Sequence, residues 1–123
     1  MTDISFNSYT GTFQDIKNIW NEKLWPNRKS TIKEMSSMQY LDGFDMAIYE
    51  KYKPTFFIVK HQDTIVGVNS GHRTKDRLYR SRGIWVDPKF RRYGVAQILF
   101  DMTEKQAKKE KCGAVWSMPR KSA

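Results

Sequence analysis

One cysteine, Cys112, is present in 123 residues. A single thiol closes no disulfide within the chain, and it excludes zinc sites built from several cysteines. Histidine is nearly as scarce, with two residues. No apolar run approaches the roughly 18 residues that a membrane-spanning helix needs. The start, Met1-Thr2-Asp3-Ile4, lacks the basic-then-apolar layout of a secretory signal. A soluble cytoplasmic protein is the expectation. Acidic residues are in short supply as well: 13 Asp and Glu stand against 22 Lys and Arg, a net charge of +9. Repeats, low-complexity tracts and linkers are absent.

What is there suffices for a fold. Apolar residues make up 39% and aromatics 14%, too many for a disordered chain despite the charge. The length suits one domain over 1–123, which can bury roughly two-thirds of its unfolded surface without a metal or a crosslink. The charge is concentrated. Residues 1–61 hold 8 basic and 7 acidic side chains, and residues 62–123 hold 14 and 6. Between 73 and 92 stand Arg73, Lys75, Arg77, Arg80, Arg82, Lys89, Arg91 and Arg92 against Asp76 and Asp87. Such a local field attracts a polyanion: nucleic acid, a membrane surface or a phosphorylated cofactor. The plain alternative is a solvated surface.

Periodicity outlines the elements. Ile4 and Phe6 alternate with polar neighbours toward Ser8, a short strand. Thr12-Phe13-Gln14-Asp15 resembles a capping box, and Phe13, Ile16, Trp20 and Leu24 follow at helical spacing up to Pro26. Thr31-Ile32-Lys33-Glu34 opens a second helix with Met35, Met38 and Leu41, continued by Phe44, Ala47, Ile48 and Tyr52. Thr55 to Lys60 and Thr64 to Ser70 form an antiparallel hairpin around a turn at His61-Gln62-Asp63. Arg73 to Arg77 is a basic loop. Leu78 to Val86 is a strand with Leu78, Ile84 and Val86 on one side and Tyr79 and Trp85 on the other. Val95, Ile98, Leu99 and Met102 mark an amphipathic helix, closed by Cys112-Gly113, and Ala114 to Met118 is a last strand. The order β-α-α-β-β-β-α-β predicts an α/β (α+β) domain with a mixed central sheet flanked by helices.

The chemistry concentrates in Ile84-Trp85-Val86-Asp87-Pro88-Lys89-Phe90-Arg91-Arg92-Tyr93-Gly94-Val95-Ala96: a strand, a basic loop with a glycine, then a helix. The first N–H groups of a helix have no intrahelical partner and stand at the positive end of its dipole, so they hold an anion. Gly94 lets the backbone approach a phosphate closely, Ala96 keeps the first turn small, and Arg91 and Arg92 add forked cationic donors.

Arg91-x-x-Gly94-x-Ala96 is similar to the Gln/Arg-x-x-Gly-x-Gly/Ala loop of the GNAT N-acetyltransferases. Ile84 to Pro88 resembles that family's hydrophobic-x-Val-x-Pro strand end, and Ile98-Leu99-Phe100 resembles the apolar run of the following helix. The hairpin from Phe56 to Gly67 fits as well. The resemblance covers about 4 to 119, with its specific motif in 84–102. It implies acetyl-CoA as cofactor and transfer of acetyl to an amine by direct attack, with no acyl-enzyme. It also implies that backbone groups of Ile84, Trp85 and Val86 pair with the pantetheine arm. The loop Arg91-Arg92-Tyr93-Gly94-Val95-Ala96 would wrap the pyrophosphate. Cys112 is then expected as a packed small hydrophobe.

Two departures accompany the resemblance. The strand from Leu78 to Val86 carries Arg80 and Arg82 where the family often has an acidic residue. His72 and Asp76, both expected in loops, are the nearest titratable groups, and the catalytic residues are left unassigned. After Met118 the family has a helix start, a tyrosine and two more strands, whereas Arg120-Lys121-Ser122-Ala123 end this chain. A C-terminally truncated form is therefore expected, with Ala114 to Met118 as an exposed edge bearing Trp116. Such an edge invites a homodimer. The partners expected are a small-molecule or peptide amine acceptor, with no membrane. The competing classes are a basic nucleic-acid-binding domain, with Tyr79, Trp85, Phe90 and Tyr93 stacking on bases, and a degenerate CoA-binding module acting in assembly.

Overall fold

Asp15 closes the capping box. Its carboxylate accepts the Thr12 backbone N–H at 2.7 Å and the Thr12 hydroxyl at 3.1 Å. Helix α1, Phe13–Ile19, starts there and widens into a π-helical turn, Trp20–Leu24. Phe13, Ile16, Trp20 and Leu24 are all buried, as their spacing predicts. The computed structural model describes residues 4–24, 26, 38, 51, 53–74 and 77–117. The expected second helix lies outside the described residues except for Met38, which is buried, and Lys51. Asp76, Met118 and the Arg120–Ala123 segment also lie outside them.

Five strands form one sheet in chain order: β1 (Asn7–Gly11), β2 (Thr55–His61), β3 (Thr64–Arg73), β4 (Leu78–Val86) and β5 (Ala114–Trp116). The first three pairings are antiparallel and β4 with β5 is parallel, so the sheet is mixed, as expected. A parallel pair needs a crossover, and helix α2, Val95–Lys109, provides it. The first strand is displaced from the expected Ile4 to Ser8. Phe6 leaves the ladder to pack edge-on against Phe90 and His61, and Tyr9 joins the α1 core instead.

The two faces carry separate cores. On one, α1 and its π turn bury Phe13, Ile16, Trp20 and Leu24 against Phe56, Ile58 and Val68. On the other, Val95 and Leu99 of α2 cover Phe57, Val59 and Val66. The alternation of Phe56 and Ile58 with Phe57 and Val59 follows from the period of two in a strand. Deeper under α2, Asn69 Nδ2 donates to Ser81 Oγ at 2.9 Å and to Thr103 Oγ1 at 3.0 Å.

Strand β4 contains a bulge. Its register with β3 steps from Val68↔Trp85 to Ser70↔Arg82, so Gly83 and Ile84 together face Asn69. Gly83 has φ +80°, a left-handed conformation that glycine adopts without steric cost. One extra residue inverts the pleat. Before it, Tyr79 packs with Ala107 and Cys112, and Ser81 shares the Asn69 amide with Thr103; after it, Ile84 and Val86 face α2 and Trp85 joins the α1 core. The expected grouping of Leu78 with Ile84 and Val86 opposite Tyr79 and Trp85 is therefore corrected: Tyr79, Ile84 and Val86 share the α2 face.

The end of α2 also differs from expectation. Cys112 N–H donates to Ala107 O at 2.9 Å and Lys111 N–H to Lys108 O at 3.0 Å, a Schellman closure. Lys111, at φ 62°, takes the left-handed position, and Gly113 lies beyond it. Among the described residues no helix is long and apolar enough to cross a membrane.

Candidate functional site

Strand β4 leads directly into a 3-10 helix, Pro88–Tyr93. Asp87 holds this junction: its N–H donates to Val66 O at 2.8 Å, its Oδ1 accepts the Lys89 N–H at 2.9 Å, and its carbonyl accepts the Phe90 N–H at 2.8 Å. Phe90 anchors the segment from below, with its ring 5.1 Å from His61 and 6.1 Å from Phe6. Arg91 Nε donates to Val86 O at 3.2 Å, tying the basic segment back to the strand end. Arg91, Arg92 and Tyr93 are exposed.

Gly94 then turns the chain at φ +80° and caps α2. The first helical bond runs from Ile98 N–H to Gly94 O at 3.1 Å, so the N–H groups of Val95, Ala96 and Gln97 have no intrahelical acceptor. A Cβ built on Gly94 would meet nothing within 4 Å. The glycine is thus required by its backbone angle, and the space above it is open. Three outward N–H groups, the positive helix end and two exposed arginines make a cradle that fits a phosphate. The loop residues expected from sequence meet in this one place, although Val95 is buried and offers only its backbone.

The adjoining edge of β4 is open. Strand β5 pairs only with Leu78, Tyr79 and Arg80; among the described residues no strand pairs with Gly83 to Val86 on that side, where the Arg91 side chain caps the Val86 carbonyl. Because the Asp87 N–H points to β3, ladder alternation turns the polar groups of Trp85 to β3 as well. Those of Ile84 and Val86 face the open side. Of the three backbone positions expected from sequence, two front the opening and Trp85 does not.

The titratable groups nearby are muted by burial. His72 lies in β3, not in a loop, fully buried and directly across from Arg80. Burial first, then Arg80 and Arg82, push its pKa down to about 3, so it is neutral at neutral pH and a weak base. Tyr79 is fully buried, and burial raises its hydroxyl pKa far above the usual value. Burial also raises the Cys112 thiol, which packs with Tyr79 and Ala107 as the small hydrophobe expected. Arg80 stands over the Trp116 ring at 5.2 Å, and that indole donates to Thr74 Oγ1 at 3.3 Å; Trp116 is half-buried instead of lying bare on the edge. Among the described residues no three His, Cys, Asp or Glu side chains gather as metal ligands.

Two residues near the opening escaped the sequence reading. Trp20 Nε1 donates to Gly83 O at 2.9 Å, and Ser70 Oγ donates to Arg82 O at 2.7 Å. A glycine inside a strand pattern is the signal that marks such a bulge; nothing in the pattern pointed to its two donors.

The family model described as the acetyltransferase (GNAT) family matches residues 16–122. No curated protein matches the chain. Among solved structures, the aminoglycoside acetyltransferase AAC(6')-Iy, in complex with a CoA-acetylneamine bisubstrate analogue, superposes with a TM-score of 0.67 at 17% identity, covering 95% of this chain and 81% of that one. A GNAT acetyltransferase of Staphylococcus aureus Mu50 gives 0.65 at 14%, covering 94% and 73%. A Trypanosoma brucei acetyltransferase gives 0.63 at 14%, covering 96% and 85%.

Proposed function

The chain belongs to the GNAT acetyltransferase family, whose members move acetyl from acetyl-CoA to an amine, and on that premise we propose how this chain does so. The N–H groups of Val95, Ala96 and Gln97, with Arg91 and Arg92, hold the pyrophosphate, and the edge groups of Ile84 and the Val86 N–H pair with the amide arm, the Val86 carbonyl being held by Arg91. The carrying observation is the continuity of the two: a helix start whose first N–H groups have no intrahelical acceptor, with open space over Gly94, adjoins a stretch of β4 edge that no described strand covers.

The cofactor supplies an acetyl group activated as a thioester. The chain's own share is binding and orientation. The acceptor nitrogen, in its neutral form, would form the C–N bond as the C–S bond breaks, with CoA leaving as its thiolate; the proton the nitrogen sheds would pass through water, because His72 is too weakly basic and no described carboxylate stands on β4. The acceptor is a small amine, and amines of the aminoglycoside class are the first to assay, since AAC(6')-Iy was solved with such a conjugate. The outer edge of β5 receives a strand from a second copy; a monomer mass by light scattering at micromolar protein rules that part out. A cytoplasmic setting, with its supply of acetyl-CoA, goes with this function.

A thermal shift with acetyl-CoA tests the site. At a hundredfold excess over the dissociation constant, mass action stabilises the fold by about 2.7 kcal/mol. Gly94→Val should cancel the shift, since it strains the turn and puts a side chain into the open space. A wild-type protein indifferent to millimolar acetyl-CoA, or full binding by Gly94→Val, contradicts the assignment.

A further inference from the structure

The bulge that opens the β4 edge is held from behind, by groups that do not reach the opening. Trp20 is fully buried at the first position of the π turn, a rare backbone form often found at functional sites. Its indole rests on the bulge: a Cβ on Gly83 would lie 2.5 Å from Trp20 Cζ2. The same indole N–H donates to the Gly83 carbonyl at 2.9 Å. One residue earlier, the buried Ser70 hydroxyl donates to the Arg82 carbonyl at 2.7 Å. Two side chains, from the α1 end and from β3, thus grip the two consecutive carbonyls where the register steps.

From this geometry we propose that Trp20 and Ser70 are positioning residues that lock the β4 bulge, and thereby aim the Ile84 and Val86 backbone at the cofactor's amide arm. This rests on the cofactor site assigned above. The physical reason is register. A strand slipped by one residue sends every later side chain to the opposite face and every later N–H to the opposite edge. With the bulge ironed out, Ile84 and Val86 would leave the α2 core and turn their polar groups toward β3. Packing of Ile84 and Val86 under α2 favours the bulged register, and the two hydrogen bonds hold the point at which it departs from a regular ladder. A φ of +80° at Gly83 has no side chain of its own to stabilise it, so the grip has to come from neighbours.

The test separates the arm from the phosphates. Trp20→Phe keeps most of the ring and removes the N–H; Ser70→Ala removes only the hydroxyl. Calorimetric titration of each variant uses acetyl-CoA and adenosine 3′-phosphate 5′-diphosphate, which has the pyrophosphate but no amide arm. Each variant should bind acetyl-CoA about tenfold more weakly, as expected for the loss of one buried hydrogen bond, and bind the nucleotide unchanged. Equal losses for both ligands, or none for either, overturn the proposal. Amide hydrogen exchange of the cofactor-free protein provides a readout independent of binding: exchange should quicken at Arg82 and Trp85, whose N–H groups face β3, in both variants and stay unchanged in α2. Unchanged exchange at Arg82 and Trp85 also overturns it. If the wild-type chain ignores acetyl-CoA, the cofactor assignment fails while exchange still decides whether the bulge is locked. Should Trp20→Phe not fold, Ser70→Ala carries both measurements.

Discussion

A histidine enclosed by a strand and facing two arginines cannot readily hold a proton. His72 is in this position, and its pKa falls from 6.5 to about 3. Between those values the unfolded chain binds a proton that the folded chain does not. Its contribution to stability is therefore complete above pH 6.5 and is lost as the pH falls toward 3. Urea midpoints measured from about pH 7 down to about pH 4 should decline, and His72→Gln should flatten part of that decline; parallel curves would show that His72 is not the source. The sequence placed His72 beside the chemistry as a loop residue. Its identity was legible, but its burial was not, because burial depends on the face that the sheet turns inward. Cys112 packs against Tyr79 and Ala107, the simplest outcome for a lone cysteine between a helix and a strand.

At the scale of elements, capping chemistry and periodicity were the dependable signals. Thr12 with Asp15 opened α1 where expected, and the four residues spaced along it became its buried stripe. The end of α2 went otherwise. Gly113 was the natural terminator, yet the left-handed closing position falls two residues earlier, at Lys111 with φ 62°. A lysine is strained there and a glycine is not. Lys111→Gly should therefore stabilise the fold by about 0.5–1 kcal/mol, a few degrees in melting temperature. Its scan should show no loss of cooperativity; a lower melting temperature would mean that the lysine stem makes contacts worth more than the strain. Strand faces were the least legible feature. Period-two counting fails across Gly83, because a single inserted residue reverses it.

For the whole molecule, the +9 charge matters through its placement. The cations divide into two settings. Arg91 and Arg92 are exposed at the start of α2, whereas Arg80 is buried over Trp116 beside His72. The exposed pair should make cofactor binding salt-dependent. From about 0.1 M to 1 M salt the screening length shrinks from about 10 Å to 3 Å, so the acetyl-CoA dissociation constant should rise several-fold. Arg91→Gln combined with Arg92→Gln should reduce that slope. An affinity indifferent to salt would mean that these arginines do not face the phosphates. The stacking aromatics of the nucleic-acid alternative are dispersed by the fold: Tyr79 is buried, Trp85 packs on the α1 core and Phe90 sits on His61 and Phe6.

The sequence by itself determined the family, the mixed α/β class and the glycine-marked helix start that is proposed to hold phosphate. These depend on local quantities: a glycine at a helix start, neighbouring arginines, apolar spacing within a single element. Only the tertiary structure decided which backbone groups face the opening, because that depends on how β3 registers against β4 around one extra residue. It also decided that Trp20 and Ser70, 63 and 12 residues away in sequence from the carbonyls they hold, grip the bulge. Contacts across such separations leave no periodic trace in the chain and exist only once the sheet and α1 have packed.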